Sequence, residues 1–350
     1  MDKKDFEQLD ESWETLKSCD KAVYIYGIGN ACERILKELE KRQIKCSGIF
    51  SSDDFVAKKS FCGFEVKTLS QLESEHEDFA VCMAFGSSLP DVMERISSLS
   101  KRHTLIFPDL AIAGNESFTK SGFLDRWEQA KTARSMLCDE RSREIFDLAA
   151  AFKISGDISF LERAFSVNSF EKIIEPNEND IYADLGAYNG DTALEFLRMA
   201  GGCKKIYAFE PDKRSFRKCV KRLINVDETV FVNACAWNCD DLTSFSQSGG
   251  RMSKAQSGSE KVSARSLDSV LNKKECSVIK YDVEGAEKRA LLGSKETIER
   301  FHPRLAVSVY HRPFDFIDLT MLVHSFNQDY KLYLRQPPYF PSWDLCLYAV

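Results

Sequence analysis

Three acidic strings, each closing an apolar run, hold the residue types that could do chemistry. The first is Tyr182-Ala183-Asp184-Leu185-Gly186-Ala187-Tyr188-Asn189-Gly190-Asp191-Thr192. An apolar run that turns through glycines into a helical pattern places a ligand at a helix N-terminus. A carboxylate at Asp184, inside that turn, repels a pyrophosphate. S-adenosylmethionine carries no phosphate, and its ammonium and sulfonium favour an acidic turn. Gly186 is expected to let the backbone approach the ligand, and Gly190 to supply a left-handed φ. Thr192-Ala193-Leu194-Glu195 matches a capping box, so the helix is expected to start there. Asp191 reads equally as a helix-start acid or a ligand contact.

The second string, Ala208-Phe209-Glu210-Pro211-Asp212, puts an acid at the end of the next apolar run. That is where a carboxylate accepts hydrogen bonds from both hydroxyls of a ribose. The third, Lys280-Tyr281-Asp282-Val283-Glu284-Gly285-Ala286-Glu287, ends a later run, and Leu305–Tyr310 leads into His311. Asp282 and His311 are expected at neighbouring strand ends, near the methyl to be transferred. A histidine titrates in the range of a general base, which would assist deprotonation of a hydroxyl acceptor. Asp282 would orient it, contact the cofactor or hold a cation; a cation would lower the pKa of that hydroxyl. No metal is assigned. Glu284 and Glu287 read as helix-start acids.

These strings need a sheet beneath them. Strand patterns fall at 181–185, 205–209, 230–236, 277–281 and 305–310, with helical patterns at 192–200, 215–224 and 286–301. Two final runs, Tyr330–Leu334 and Leu345–Val350, are joined too briefly for a crossover helix and should pair antiparallel. Five parallel strands closed by such a hairpin is the layout of a class I, Rossmann-like methyltransferase sheet. The segment 243–263 is rich in Ser and Gly and reads as a mobile loop. Upstream, Ala22–Tyr26, the turn Gly27-Ile28-Gly29-Asn30, a helical stretch 31–41 and a strand at 44–50 make a βαβ unit. Strands at 79–85 and 104–107 flank a helix at 91–99, and an amphipathic helix leads at 5–20. Residues 120–178 show helical periodicity alone. The fold expected is α/β: a smaller Rossmann-like domain (1–118), a helical connector (119–178) and the methyltransferase sheet (179–350).

The first glycine turn lacks an acid and would suit phosphate, but Cys32 stands where a third glycine would pack helix on strand. With Asp53 and Asp54 near the next strand's end, it reads either as a nucleotide or nucleotide-sugar site or as a degenerate scaffold.

The chain's 350 residues suffice for about two domains, and its 43% hydrophobic content excludes disorder over most of its length. The net charge of −6 argues against nucleic acid as a partner. No run is long enough for a membrane helix, and no apolar segment follows the charged start, so no secretory signal is expected. The 12 cysteines are scattered, which fits reduced thiols in a cytoplasmic protein. Oligomeric state is not indicated.

The chain resembles the FkbM-type S-adenosylmethionine-dependent methyltransferases. The matching stretches are Asp184–Thr192, Phe209-Glu210-Pro211, Ser266-Leu267-Asp268 and Lys280–Glu287. Asp139-Glu140-Arg141-Ser142, Tyr310-His311-Arg312-Pro313 and Tyr333-Leu334-Arg335 are similar to a two-domain branch with an N-terminal Rossmann-like part. That resemblance implies methylation, typically of a hydroxyl on a sugar or polyketide-like acceptor. It implies cofactor contacts from Asp184, Gly186, Glu210 and Asp282, with adenine near Asn233–Trp237. The cofactor-binding set is thus Asp184, Gly186, Ala187, Tyr188, Asn189, Gly190, Asp191, Glu210, Pro211, Asp212, Asn233, Ala236, Trp237 and Asp282, with His311 and Asp282 as the catalytic pair. Gln336 departs from the histidine expected after Leu-Arg and points to a different acceptor pocket. The function expected is O-methylation of a sugar or nucleotide-linked sugar hydroxyl, on a small-molecule or glycan acceptor. The alternatives are a non-catalytic nucleotide-sugar or S-adenosylmethionine binder and an NAD(P)-dependent oxidoreductase.

Overall fold

The computed structural model describes residues 1–55, 60–114, 116–245 and 260–350. Short apolar runs, buried on both faces, form parallel strands. In the N-terminal part they are β1 (Val23–Tyr26), β2 (Cys46–Ser51), β4 (Phe64–Thr68), β5 (Ala80–Met83) and β6 (Thr104–Ile106), with β3 (Ser60–Phe61) antiparallel to β4. Their order is β3-β4-β2-β1-β5-β6. Four of these strands lie where the hydrophobic pattern put them; the pair β3–β4 is an addition.

The leading helix is two helices, Lys3–Gln8 and Ser12–Ser18. The break serves two cores, since Phe6 packs with Phe123 and Trp127 while Leu16 packs beneath the first sheet. The helical stretch 120–178 holds Lys120–Asp125, Trp127–Met136, Glu140–Ser155, Ile158–Ala164 and Ser169–Ile174.

The second sheet contains β7 (Ile181–Leu185), β8 (Lys205–Phe209), β9 (Thr229–Val232), β13 (Val278–Tyr281), β14 (Arg304–Ser308), β15 (Leu332–Arg335) and β16 (Cys346–Ala349). Its order is β15-β16-β14-β13-β7-β8-β9. The final hairpin is antiparallel, with Leu332 opposite Ala349 and Arg335 opposite Cys346. The order reverses between β7 and β13, so the crevice lies above their carboxyl ends.

The run 230–236 is two pieces, because β10 (Cys235–Ala236) leaves the main sheet for a small one with β11 (Asp241–Phe245) and β12 (Glu260–Arg265). Both ends of the expected loop 243–263 are therefore strand; its centre, 246–259, lies outside the described residues. The helix expected at 286–301 is split into Glu287–Leu292 and Lys295–Phe301. Gly293 marks the break, since a Cβ there would stand 1.8 Å from the Trp237 carbonyl oxygen. A further helix, Asp315–Phe326, has a mostly apolar surface and is buried along most of its length. No described helix is long and apolar enough to cross a membrane.

The two sheets are tied together. Phe340, in the loop between β15 and β16, exchanges backbone hydrogen bonds with Ser87 beyond β5, at 2.8 and 3.0 Å. Beside β15, Arg335 donates to Asp139 at 2.5 Å and to the Ser142 hydroxyl at 2.7 Å. These bonds hold the Asp139 carboxyl down at about 2 against burial, which opposes its charge.

Candidate functional site

The acidic turn follows β7. Asp184 is fully buried; its Oδ2 accepts from the Thr192 hydroxyl at 2.5 Å and its Oδ1 from Lys280 Nζ at 3.2 Å. The lysine lies directly across the parallel pairing from Asp184. Burial opposes its charge, but Asp184 and Asp282 outweigh this and raise its pKa. Thr192 therefore does not cap. The helix Asp191–Ala200 starts one residue early, with Gly190 (φ 84°) as its N-cap and no side-chain cap. Asp191 is the first helical residue and, among the described residues, accepts only from the Thr192 N–H.

Gly186 is required by the protein's own backbone packing. It has φ 97°, and a Cβ there would lie 1.9 Å from the Asp282 carbonyl oxygen. The turn is thus pressed onto the end of β13 by backbone contact. Ala187 is buried, Tyr188 is half exposed at φ 47°, and the Asn189 amide oxygen is taken by Arg222.

Glu210, at the end of β8, is 7% exposed. One carboxylate oxygen accepts the Tyr188 N–H at 2.9 Å and the other the Asp212 N–H at 2.7 Å. Among the described residues no cation is paired with it. Burial pushes its carboxyl up to about 7; the two N–H donors work against the rise, and Asp212 and Asp184 add to it. Asp212 caps the helix Lys213–Leu223 through the Ser215 N–H at 2.8 Å. Asn233 donates to the carbonyls of Glu210 and Pro211 at 2.8 and 3.2 Å, which fixes the strand end. Ala236 is buried in β10, and Trp237 lies under the Arg289 guanidinium at 4.9 Å.

Asp282 and His311 do meet at adjacent strand ends, with Asp282 Oδ1 3.7 Å from His311 Nε2. Asp282 remains 34% exposed at its side chain. Burial opposes its charge, but Lys280, His311 and the hydroxyls of Ser308 and Tyr310 hold it below the usual carboxylate range. His311 is 2% exposed. Burial alone would lower its pKa, yet Glu287, Asp282 and Glu284 raise it to about 9. Its acidic neighbours thus favour the charged imidazole, above the range in which a free histidine titrates.

Glu287, expected as a helix-start acid, is the first residue of its helix and is 1% exposed. Its Oε1 accepts from Val283 N–H at 2.9 Å and lies 2.9 Å from His311 Nδ1. Lys280 and Glu287 are the two site residues that residue type alone did not identify. The parallel pairing of β7 with β13 would have found Lys280; the burial of Glu287 has no local signal.

Gln336 is buried and ties its own loop. Its amide donates to the carbonyls of Pro337 and Trp343 at 2.9 and 3.3 Å and accepts from Ser342 at 2.8 Å. At the first glycine turn, Asp53 accepts from the Ser70 N–H and hydroxyl at 3.1 and 2.9 Å, and Asp54 pairs with Arg95 at 3.0 Å. Cys32 is buried against the first sheet's core. Both acids that could have met a ribose there have partners, which favours the scaffold reading of that turn.

Residues 184–335 match the family model described as the methyltransferase FkbM domain. The crystal structure of methyltransferase FkbM from Methylobacillus flagellatus KT superposes with a TM-score of 0.73 at 17% identity, covering 97% of this chain and 92% of that one. The structure of SMU.1697c, a putative methyltransferase from Streptococcus mutans in complex with SAH, covers 52% of this chain and 94% of its own at 18% identity, with a TM-score of 0.33. An rRNA methylase from Streptococcus thermophilus covers 51% and 89% at 18% identity, with a TM-score of 0.34. No curated protein matches the chain at a significant level. The acidic turn and the ends of β8 and β13 fall inside that matched segment, so residues 184–335 are the part of the chain that resembles the FkbM methyltransferase domain.

Proposed function

We propose that the chain transfers the methyl group of S-adenosylmethionine to a hydroxyl of a sugar or nucleotide-linked sugar. The observation that carries the reading is Glu210: a carboxylate buried at a strand end, fixed on both oxygens by backbone N–H groups and paired with no cation among the described residues. Each oxygen keeps lone pairs for a further donor, which is what the two ribose hydroxyls would supply. Asp184 with Lys280 makes the floor of the turn, and Asp282, facing solvent beside it, meets the sulfonium and the acceptor hydroxyl. In the transfer, the hydroxyl oxygen forms a bond to the methyl carbon as the carbon–sulfur bond breaks. The cofactor leaves as the neutral thioether S-adenosylhomocysteine, and the hydroxyl's proton passes to solvent. In-line alignment of this kind supplies as much as about 7–11 kcal/mol in favourable systems. His311, charged and buried behind Asp282, acts by holding that carboxylate ionised. The division into 1–118, 119–178 and 179–350 goes with this reading, the first segment serving as scaffold. The free thiols fit a cytoplasmic setting.

Calorimetry with S-adenosylhomocysteine tests the cofactor, and transfer of labelled methyl to a panel of sugars and nucleotide-sugars tests the acceptor. Glu210→Ala should abolish the heat of binding. A folded protein that gives no heat at millimolar ligand refutes the proposal.

A further inference from the structure

Beside the expected cofactor contacts, three side chains from different elements converge on the acceptor side of the crevice. Asp282 follows β13, Glu287 opens the next helix and His311 follows β14. Each offers one ligand atom, and these atoms lie within 4.8 Å of one another. Glu284 adds a fourth donor, its Oε2 3.6 Å from His311 Nε2.

Two features set this cluster apart from a surface patch of acids. First, Glu287 and His311 are almost fully buried, yet Glu287 Oε2 makes no hydrogen bond among the described residues. Leaving buried polar atoms unsatisfied is costly. His311 Nδ1 pairs with Glu287 Oε1 at 2.9 Å, and its Nε2 faces Asp282 at 3.7 Å. Second, Glu287 is oriented in advance. Its Oε1 is held by the N–H groups of Val283 and Gly285, at 2.9 and 3.3 Å, which leaves Oε2 for another partner. A hydrogen-bonded carboxylate with one oxygen free is how metal ligands are commonly aimed. The loop that achieves this is tight, with Glu284 at φ 54° and Gly285 at φ 92°. It is closed from behind, where a Cβ on Gly285 would meet Ala113 Cβ at 2.4 Å. The cluster is therefore sealed on the protein side and open past Asp282.

We propose that Asp282, Glu287 and His311, whose imidazole releases its proton to solvent as the ion binds, form a divalent-cation site that takes the acceptor's hydroxyl in its open position. One imidazole nitrogen with carboxylate oxygens, and no thiolate, suits a hard to borderline ion of the Mn²⁺ kind. The catalytic consequence rests on the methyl-transfer reading above. A hydroxyl bound to the cation loses its proton to solvent more readily, and the resulting alkoxide oxygen attacks the methyl carbon. Binding of the ion itself does not depend on that reading.

The test uses the full chain, stripped of metal with a chelator and titrated with Mn²⁺ while the electron paramagnetic resonance signal of the free ion is followed. Saturable loss of that signal at one ion per chain is expected. Glu287→Gln keeps the size and the Oε1 contacts, and the more exposed Asp282→Asn provides a second variant; each should weaken Mn²⁺ binding by at least about tenfold. Thermal unfolding of each variant shows that it folds. Absence of binding at millimolar Mn²⁺, or wild-type affinity in both variants, overturns the proposal and leaves a structural ion pair. S-adenosylhomocysteine calorimetry on the same preparation separates the two failures. Cofactor bound without Mn²⁺ sinks the cation site alone, whereas Mn²⁺ bound without cofactor sinks the methyl-transfer reading alone.

Discussion

Cofactor affinity should titrate with Glu210, and its surroundings set the size of the effect. Burial lifts this carboxyl to about 7 in the free protein. Only the ionised form offers acceptors on both oxygens to a ribose diol, because protonation turns one of them into a donor. If the ligand binds the ionised form, the apparent dissociation constant scales as one plus the ratio of protonated to ionised Glu210. That ratio is about 0.1 at pH 8, about 1 at pH 7 and about 10 at pH 6. Affinity for S-adenosylhomocysteine should therefore fall about tenfold from pH 8 to pH 6, or about 1.4 kcal/mol. The complex holds fewer protons than the free protein, so binding at pH 7 should release about half a proton. Calorimetry between pH 5.5 and 8.5, in two buffers of different ionisation heat, measures both quantities. Glu210→Gln cannot ionise; its affinity should be weak and lack this slope. The ligand's own groups titrate alike with both proteins and cancel in the comparison. A flat profile in the wild type, or an equal slope in Glu210→Gln, refutes the assignment of Glu210 to the ribose.

Two further perturbations probe the floor of the site. Lys280→Met strips the fully buried Asp184 of its cation, and denaturant unfolding should show a loss of about 3–5 kcal/mol; adding Asp184→Asn should recover much of it, and an additive double mutant would contradict the pairing. Gly186→Ala drives a Cβ to within 1.9 Å of the Asp282 carbonyl oxygen, so it should disrupt the turn and lose S-adenosylhomocysteine binding. Gly29→Ala, with nothing within 4 Å of its Cβ, should cost only the backbone strain of about 1–3 kcal/mol in thermal unfolding.

Much of this was legible because parallel strands buried on both faces read as unbroken apolar runs, and because the acids sit at their carboxyl ends in sequence. Asp184, Glu210 and Asp282 could be placed by that logic, and the closing hairpin by the shortness of its loop. Three things could not. The strand β4 is short and mostly polar, so Phe64 and Val66 leave a faint alternation. Helix Asp315–Phe326 is apolar on most faces and lacks the period that marks a half-exposed helix. The burial of Glu287, and with it the charge on His311, is decided by three segments far apart in sequence. A histidine's type suggests a base, but its neighbours decide whether it holds its proton.

The first sheet's contribution follows from where it touches the second. Its strand β5 exits into Gly86 and Ser87, which grip the loop between β15 and β16. A Cβ on Gly86 would lie 2.8 Å from the Tyr339 ring and 2.9 Å from the Phe340 carbonyl oxygen. Phe340 itself is sealed among Phe107, Phe152 and Phe165, a burial worth about 1.5–3 kcal/mol. Beyond β6, the N–H of Ala113 donates to the His311 carbonyl at 3.1 Å. Both contacts come from the carboxyl ends of first-sheet strands, the edge where an open α/β sheet would bind its own ligand. That edge is partly occupied by the other half of the chain, while Asp53 and Asp54 are engaged by Ser70 and Arg95. The first sheet thus uses that edge to hold the β15–β16 loop and the His311 backbone of the second. On the proposed function, Ala113 steadies His311 beside Asp282, so a change there, far from the cofactor turn in sequence, should raise the acceptor's KM before it weakens S-adenosylhomocysteine binding.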